Sequence, residues 1–163
     1  MNDKLGQLAE RIEAELSELE KVTGRIREGW ERFRQTGDDF YTDSTALNMH
    51  GFYSGVERVF QLIARTVDGS VPQGANWHRM LLDQMTGEIP DVRPAVISPQ
   101  TLESLEEYRG FRHVVRNVYS YNFDPSKIEM LVENISATYD NVRNQLTTFV
   151  KFLTDTNEGG ANQ

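Results

Sequence analysis

The sequence predicts an all-α protein, an antiparallel bundle of four to five helices, and three observations carry that prediction. Apolar residues recur at steps of three and four along four long segments. Ser98-Pro99 and Asp124-Pro125 each place a capping residue before a proline suited to the first helical position. No stretch of useful length alternates apolar and polar residues as a half-buried strand would. Each helix then has one apolar stripe to bury, and a bundle buries all of them together.

The first helix is read from Leu5, Leu8, Ile12, Leu16, Leu19, Val22, Ile26, Trp30 and Phe33, with Glu, Arg and Lys on the opposite face. Gly24 and Gly29 lower its helix propensity and permit a bend, and Thr36-Gly37-Asp38-Asp39 ends it. The second helix is expected to start around Asp43-Ser44-Thr45. It continues through Met49, Phe52, Val56, Phe60, Ile63 and Val67 to a stop at Asp68-Gly69. Residues 69–99 hold four of the five prolines and read as irregular, apart from a short helix over Trp77 to Met85 with Asn76 as its cap. From Ser98-Pro99 the stripe is Leu102, Leu105, Tyr108, Phe111, Val115 and Val118. From Asp124-Pro125 it is Ile128, Leu131, Ile135, Tyr139, Val142, Leu146, Phe149 and Leu153. Residues 1–154 are expected to form a single domain and residues 155–163, ending in NEGGANQ, a disordered tail.

Composition bounds what such a bundle can do. The absence of cysteine excludes disulfides and cysteine-ligated metals, and suits a reducing compartment. The amphipathic start resembles no signal peptide, and no apolar run is long enough to cross a bilayer, so a cytoplasmic location without membrane contact is expected. His50 and His78 are isolated, with no ligand-like spacing, so neither a metal nor another cofactor is expected. No glycine-rich phosphate loop is present. The net charge of −8 argues against a generally basic, nucleic-acid-binding surface.

One segment departs from that balance. Arg109 to Asn122, RGFRHVVRNVYSYN, carries +3 with no acidic residue, leaving −11 for the rest of the chain out of the total of −8. On a helix, Arg109, Arg112, Arg116 and Tyr119 step by three, four and three and share one face, with His113 beside them. Such a face suits one or two phosphates. The ordinary alternative is a solvated face, or arginines paired with glutamates of a neighbouring helix such as the first.

The segment FRHVVRNVYSYNFDP resembles the signature of HepT-like proteins in the HEPN superfamily. That signature is an Arg, four to six intervening residues, a His, and often a Tyr two places later. Arg112 matches the Arg, His113 the polar position that usually follows it, and Tyr119 the Tyr. Where the family carries its His, this chain has Asn117. The resemblance implies a helical bundle that pairs as a homodimer, doubling the local charge to about +6. It implies a metal-independent endoribonuclease toxin acting on RNA, with tRNA as the target class suggested by analogy. It also implies a partner, a small nucleotidyltransferase antitoxin of the MntA type that silences such toxins by adding AMP to the motif Tyr, here Tyr119. Arg112, His113 and Asn117 occupy the catalytic positions, with Arg109 and Arg116 as further phosphate-binding residues.

Asn117 leaves two readings open. Metal-independent cleavage uses the RNA 2′-hydroxyl as nucleophile and needs an acid, a base and positive charge near the phosphorane. His supplies acid or base near neutral pH, Arg supplies charge, and Asn titrates not at all. Either His113 takes over proton transfer, or the domain is non-catalytic and only binds a nucleotidyltransferase partner. Setting the resemblance aside, a helical interaction module whose long first helix dimerises fits the pattern too.

Overall fold

The computed structural model describes residues 3–161. Among these, helices α1 (Asp3–Thr36), α2 (Phe40–Ile63), α3 (Trp77–Thr86), α4 (Pro99–Asn117) and α5 (Pro125–Ala161) carry the fold, and there is no strand. The all-α bundle expected from the stripes is what forms. Ile12, Leu19 and Ile26 of α1, Phe52, Val56 and Phe60 of α2, Leu105 and Phe111 of α4, and Ile128, Ile135 and Val142 of α5 are all buried in one core. Burying each such side chain is worth about 1.5–3 kcal/mol, far more than local propensity supplies.

The four long helices alternate in direction. Arg58 of α2 meets Glu15 of α1 at 2.8 Å, whereas Thr45 of α2 lies against Gly29 of α1. The Tyr139 hydroxyl donates to the Leu16 carbonyl at 2.9 Å, and nearer the other end of α5, Asn157 lies beside Gly6. Phe52 of α2 and Tyr108 of α4 meet edge to face at 5.6 Å, and the Tyr108 hydroxyl donates to the Leu131 carbonyl of α5 at 2.7 Å. The short α3 packs on α2 and α4.

Several boundaries differ from the sequence reading. Helix α2 starts at Phe40, not at residues 43–45, because Asp38 Oδ1 accepts the Phe40 N–H at 3.0 Å. It then runs into a single π-helical turn, Ala64–Asp68, closed by Gly69 at φ 70°. Gly29 serves close approach and not a bend: a Cβ there would stand 2.6 Å from Thr45 Oγ1. Asn76 makes no side-chain cap to α3. The expected disordered tail is helical as far as Ala161, because α5 continues alongside the start of α1, where Asn157 is half-buried; Asn162 and Gln163 lie outside the described residues.

The proline-rich connection between α3 and α4 is irregular but anchored. Arg93 inserts fully into the protein and donates to Asp68 through Nε at 2.6 Å and Nη2 at 2.8 Å. Its remaining donors reach the carbonyls of Gln84, Gly87 and Pro94, while Gln84 Nε2 also donates to Asp68. This network fixes the connection that delivers Ser98, whose Oγ accepts the Thr101 N–H at 3.1 Å, with Pro99 opening α4.

Candidate functional site

Helix α4 carries the basic segment, and its packing against α2 divides the arginines. Arg109 is held by Glu106 of the same helix, with Nε at 2.9 Å from Oε1 and Nη2 at 2.8 Å from Oε2. Arg79 of α3 approaches the same carboxylate at 3.4 Å. Hydrogen bonds from Arg109, and the charges of Arg109 and Arg79, hold the Glu106 carboxyl below its ordinary range against the opposing effect of partial burial. Arg109 therefore behaves as the ordinary alternative foresaw, although its partner comes from its own helix and not from α1.

Arg112 and Arg116 are different. Neither forms an ion pair within 4 Å among the described residues. Arg112 is half-buried, and its Nε is shut away from solvent without an acceptor. A buried guanidinium N–H left unpaired costs on the order of 1–3 kcal/mol, so this is a place where an incoming anion gains. Arg116 and His113 are exposed on the same end of α4.

Asn117 closes the helix. Its Nδ2 donates to the His113 carbonyl at 2.8 Å and lies 3.3 Å from His113 Nδ1. The carbonyl contact orients the amide nitrogen toward the ring, and the neutral tautomer that matches this donor accepts at Nδ1 and carries its proton on Nε2. Helix α4 ends at Asn117, and Val118 is extended with φ −122° and ψ 138°. Tyr119 thus leaves the row that the spacing assigned to it. The run Val118-Tyr119-Ser120-Tyr121 combines β-branched, aromatic and serine residues of modest helix propensity, and Asp124, accepting the Ser126 N–H at 3.0 Å, starts the next helix. Tyr119 and Tyr121 are 75% and 74% exposed and their rings stack at 5.8 Å, interplanar angle 6°.

Helix α2 adds His50, which the sequence reading set aside as isolated, and two residues that it did not single out. His50, Tyr53 and Glu57 step by three and four along one line of α2, which the charged groups of α4 reach: Arg112 and Arg116 act on His50, and Arg109 and Glu106 on Tyr53. Glu57 is almost fully buried and accepts from His78 Nδ1 at 2.6 Å, while the His78 ring stacks on Trp77. The Tyr53 hydroxyl is buried beside this carboxylate without a well-formed hydrogen bond, and burial first, then Glu57, keeps it protonated far above the ordinary phenol range. His50 stands at the other end of the line. Partial burial and then the fields of Arg112 and Arg116 lower its proton affinity, with Glu57 pulling the other way. The signal that could have found it is the polar line flanking the Met49–Phe52–Val56–Phe60 stripe; its meeting with Arg112 is tertiary.

The family model described as HepT-like protein matches residues 44–153. The chain belongs to the HepT-like family. The HepT-like region so matched takes in α2 from Ser44, α3, α4 and α5 as far as Leu153, and with them His50, Arg112, His113, Asn117 and Tyr119; α1 lies outside it. No curated protein and no solved structure matches the chain. Among the described residues, no three His, Cys, Asp or Glu side chains gather as a metal-ligand set, and no helix is long and apolar enough to cross a membrane.

Proposed function

We propose that this HepT-like domain is the toxin of a toxin–antitoxin pair, a metal-independent endoribonuclease that cleaves RNA, with tRNA as its target class. The observation that carries this reading is the unpaired state of Arg112 and Arg116 beside His113 at the end of α4. Several arginines form no ion pair among the described residues, but of these Arg112 alone has a buried donor lacking an acceptor, and with Arg116 one turn along α4 it offers a place for a phosphodiester. Arg112 and Arg116 neutralise charge as the phosphorane forms, and His113 in its imidazolium form gives a proton to the leaving 5′-oxygen. A homodimer bringing two α4 ends into one cleft would double the local positive charge.

The partner is a nucleotidyltransferase antitoxin of the MntA type. Tyr119, three-quarters exposed on the α4–α5 link, presents its hydroxyl for AMP transfer from ATP: the phenolic oxygen bonds to the α-phosphorus, pyrophosphate leaves and the phenolic proton is lost. An added AMP would place a negative charge three residues from Arg116 and compete with RNA for it.

Purified protein is incubated with total tRNA in EDTA, beside Arg112→Ala and His113→Ala. Cleavage by the wild type that drops by about 10²–10⁴ in both variants supports the reading; intact tRNA throughout defeats it. A second reading, a non-catalytic domain that only binds the nucleotidyltransferase, draws on the commitment of Asn117 to the His113 carbonyl at the position where the motif has its His. Asn117→His separates the two: a large gain in cleavage marks the natural site as disabled, and an unchanged rate shows that Asn117 was never limiting.

A further inference from the structure

Cleavage through a 2′-hydroxyl needs a proton acceptor on one side of the phosphate and a donor on the other, and the motif of this chain has lost one of the two. The chain has three histidines. His78 is engaged by the Glu57 carboxylate at 2.6 Å. His113 has its Nδ1 turned to the Asn117 amide and offers only an N–H outward while neutral. His50 remains.

Its place follows from the antiparallel packing of α2 on α4. Taking the Phe52–Tyr108 ring contact at 5.6 Å as the common level, His50 lies about 3 Å and Arg112 about 6 Å to the same side of it, at a rise of about 1.5 Å per residue. The two therefore lie within one helical turn of each other in height, both half-buried, with the Arg112 Nε orphaned. The charged groups whose fields reach His50 are Arg112 and Arg116 from α4 and Glu57 from its own helix.

We propose that His50, reaching from α2 to the Arg112–Arg116 row, is the general base that takes the 2′-hydroxyl proton, standing in for the histidine that the motif lacks at Asn117. This rests on the ribonuclease reading above. The 2′-oxygen bonds to phosphorus as its proton passes to the imidazole of His50. The P–O5′ bond breaks, and the 5′-oxygen leaves with a proton from the imidazolium form of His113, which ends neutral. The products are a 2′,3′-cyclic phosphate and a 5′-hydroxyl, and solvent returns both histidines to their starting states.

The two arginines serve this step twice. Before substrate binds, partial burial and then the two arginines lower the proton affinity of His50 and so favour the neutral form a base must have. When a phosphodiester settles between them, part of their field is cancelled, and His50 gains proton affinity as it is asked to accept a proton.

The experiment follows RNA cleavage in EDTA from pH 5 to 8 for wild type and His50→Gln, with RNA affinity measured in parallel by fluorescence anisotropy. His50→Gln is expected to lower turnover by about 10²–10⁴, to leave affinity unchanged and to abolish the acidic limb of the rate profile. The His50 ring protons of the wild type, followed by NMR, should titrate below the ordinary value of about 6.5 and move up in Arg112→Ala. That titration tests the placement even where the variant folds poorly. Active wild type with an equally active His50→Gln overturns the assignment and spares the ribonuclease reading; so does a loss confined to affinity, or a His50 midpoint at or above the ordinary value. No cleavage by the wild type overturns both.

Discussion

The anchor of the proline-rich connection and the open end of the α2–α4 seam each draw an arginine into the protein, and they treat it in opposite ways. Arg93 has every nitrogen answered, by Asp68 and by the carbonyls of Gln84, Gly87 and Pro94. Arg112 has its Nε buried with no acceptor and no carboxylate within reach among the described residues. A matched buried arginine holds a loop in place. An unmatched one keeps its binding capacity for something that arrives.

The largest expected effect lies at the matched site. Arg93→Ala leaves the Asp68 carboxylate, itself 1% exposed, without its counter-charge. Unfolding free energy should fall by about 3–5 kcal/mol, read from urea denaturation. Adding Asp68→Asn should recover part of that loss, since the stranded charge, more than the missing contact, is the cost. A loss of less than about 1 kcal/mol in Arg93→Ala would break the comparison at this end.

At the unmatched site the sign of the stability effect should change. Arg112→Ala removes a guanidinium with no ion pair among the described residues, so its denaturation midpoint should equal or exceed that of the wild type. RNA cleavage by the same variant should fall by about 10²–10³, the scale of losing one group that stabilises transition-state charge. A variant that is destabilised and cleaves normally would make Arg112 a structural arginine like Arg93.

The contrast also shows what a sequence can carry. The four long helices were legible because each stripe repeats locally, and Ser98 and Asp124 were legible as starts because capping is a contact between near neighbours. Arg109, Arg112 and Arg116 look alike in sequence. What separates them is Glu106 turned toward the first, and the packing of α2 over the second. Tyr119 left their row because the helix stopped at Asn117, a boundary that propensity marks only weakly. His50 was passed over as isolated because 62 positions separate it from Arg112, and only the antiparallel register of α2 on α4 joins them. The HepT-like motif could be read from about one helix of sequence; its setting had to be built from three.

The smallest effect sharpens the comparison inside α4. Arg109 is paired where Arg112 is not, so Arg109→Ala should cost less in cleavage than Arg112→Ala while lowering stability by up to about 1 kcal/mol, the ceiling for a pair this near the surface. The pair also has a pH signature. Hydrogen bonds and charge from Arg109 hold the Glu106 carboxyl below its unfolded value, so the unfolded chain takes up the proton first as pH falls. The stabilisation is therefore complete above the ordinary glutamate value of about 4.3. It is lost as pH drops through that value toward the lower folded one. Thermal melts of wild type and Glu106→Gln should differ at pH 7 and converge near pH 3, and the gap at pH 7 should narrow in high salt. A gap that stays constant from pH 7 to 3 would mean that the Glu106 carboxylate is not what holds Arg109, and that the division between matched and unmatched arginines on α4 is misplaced.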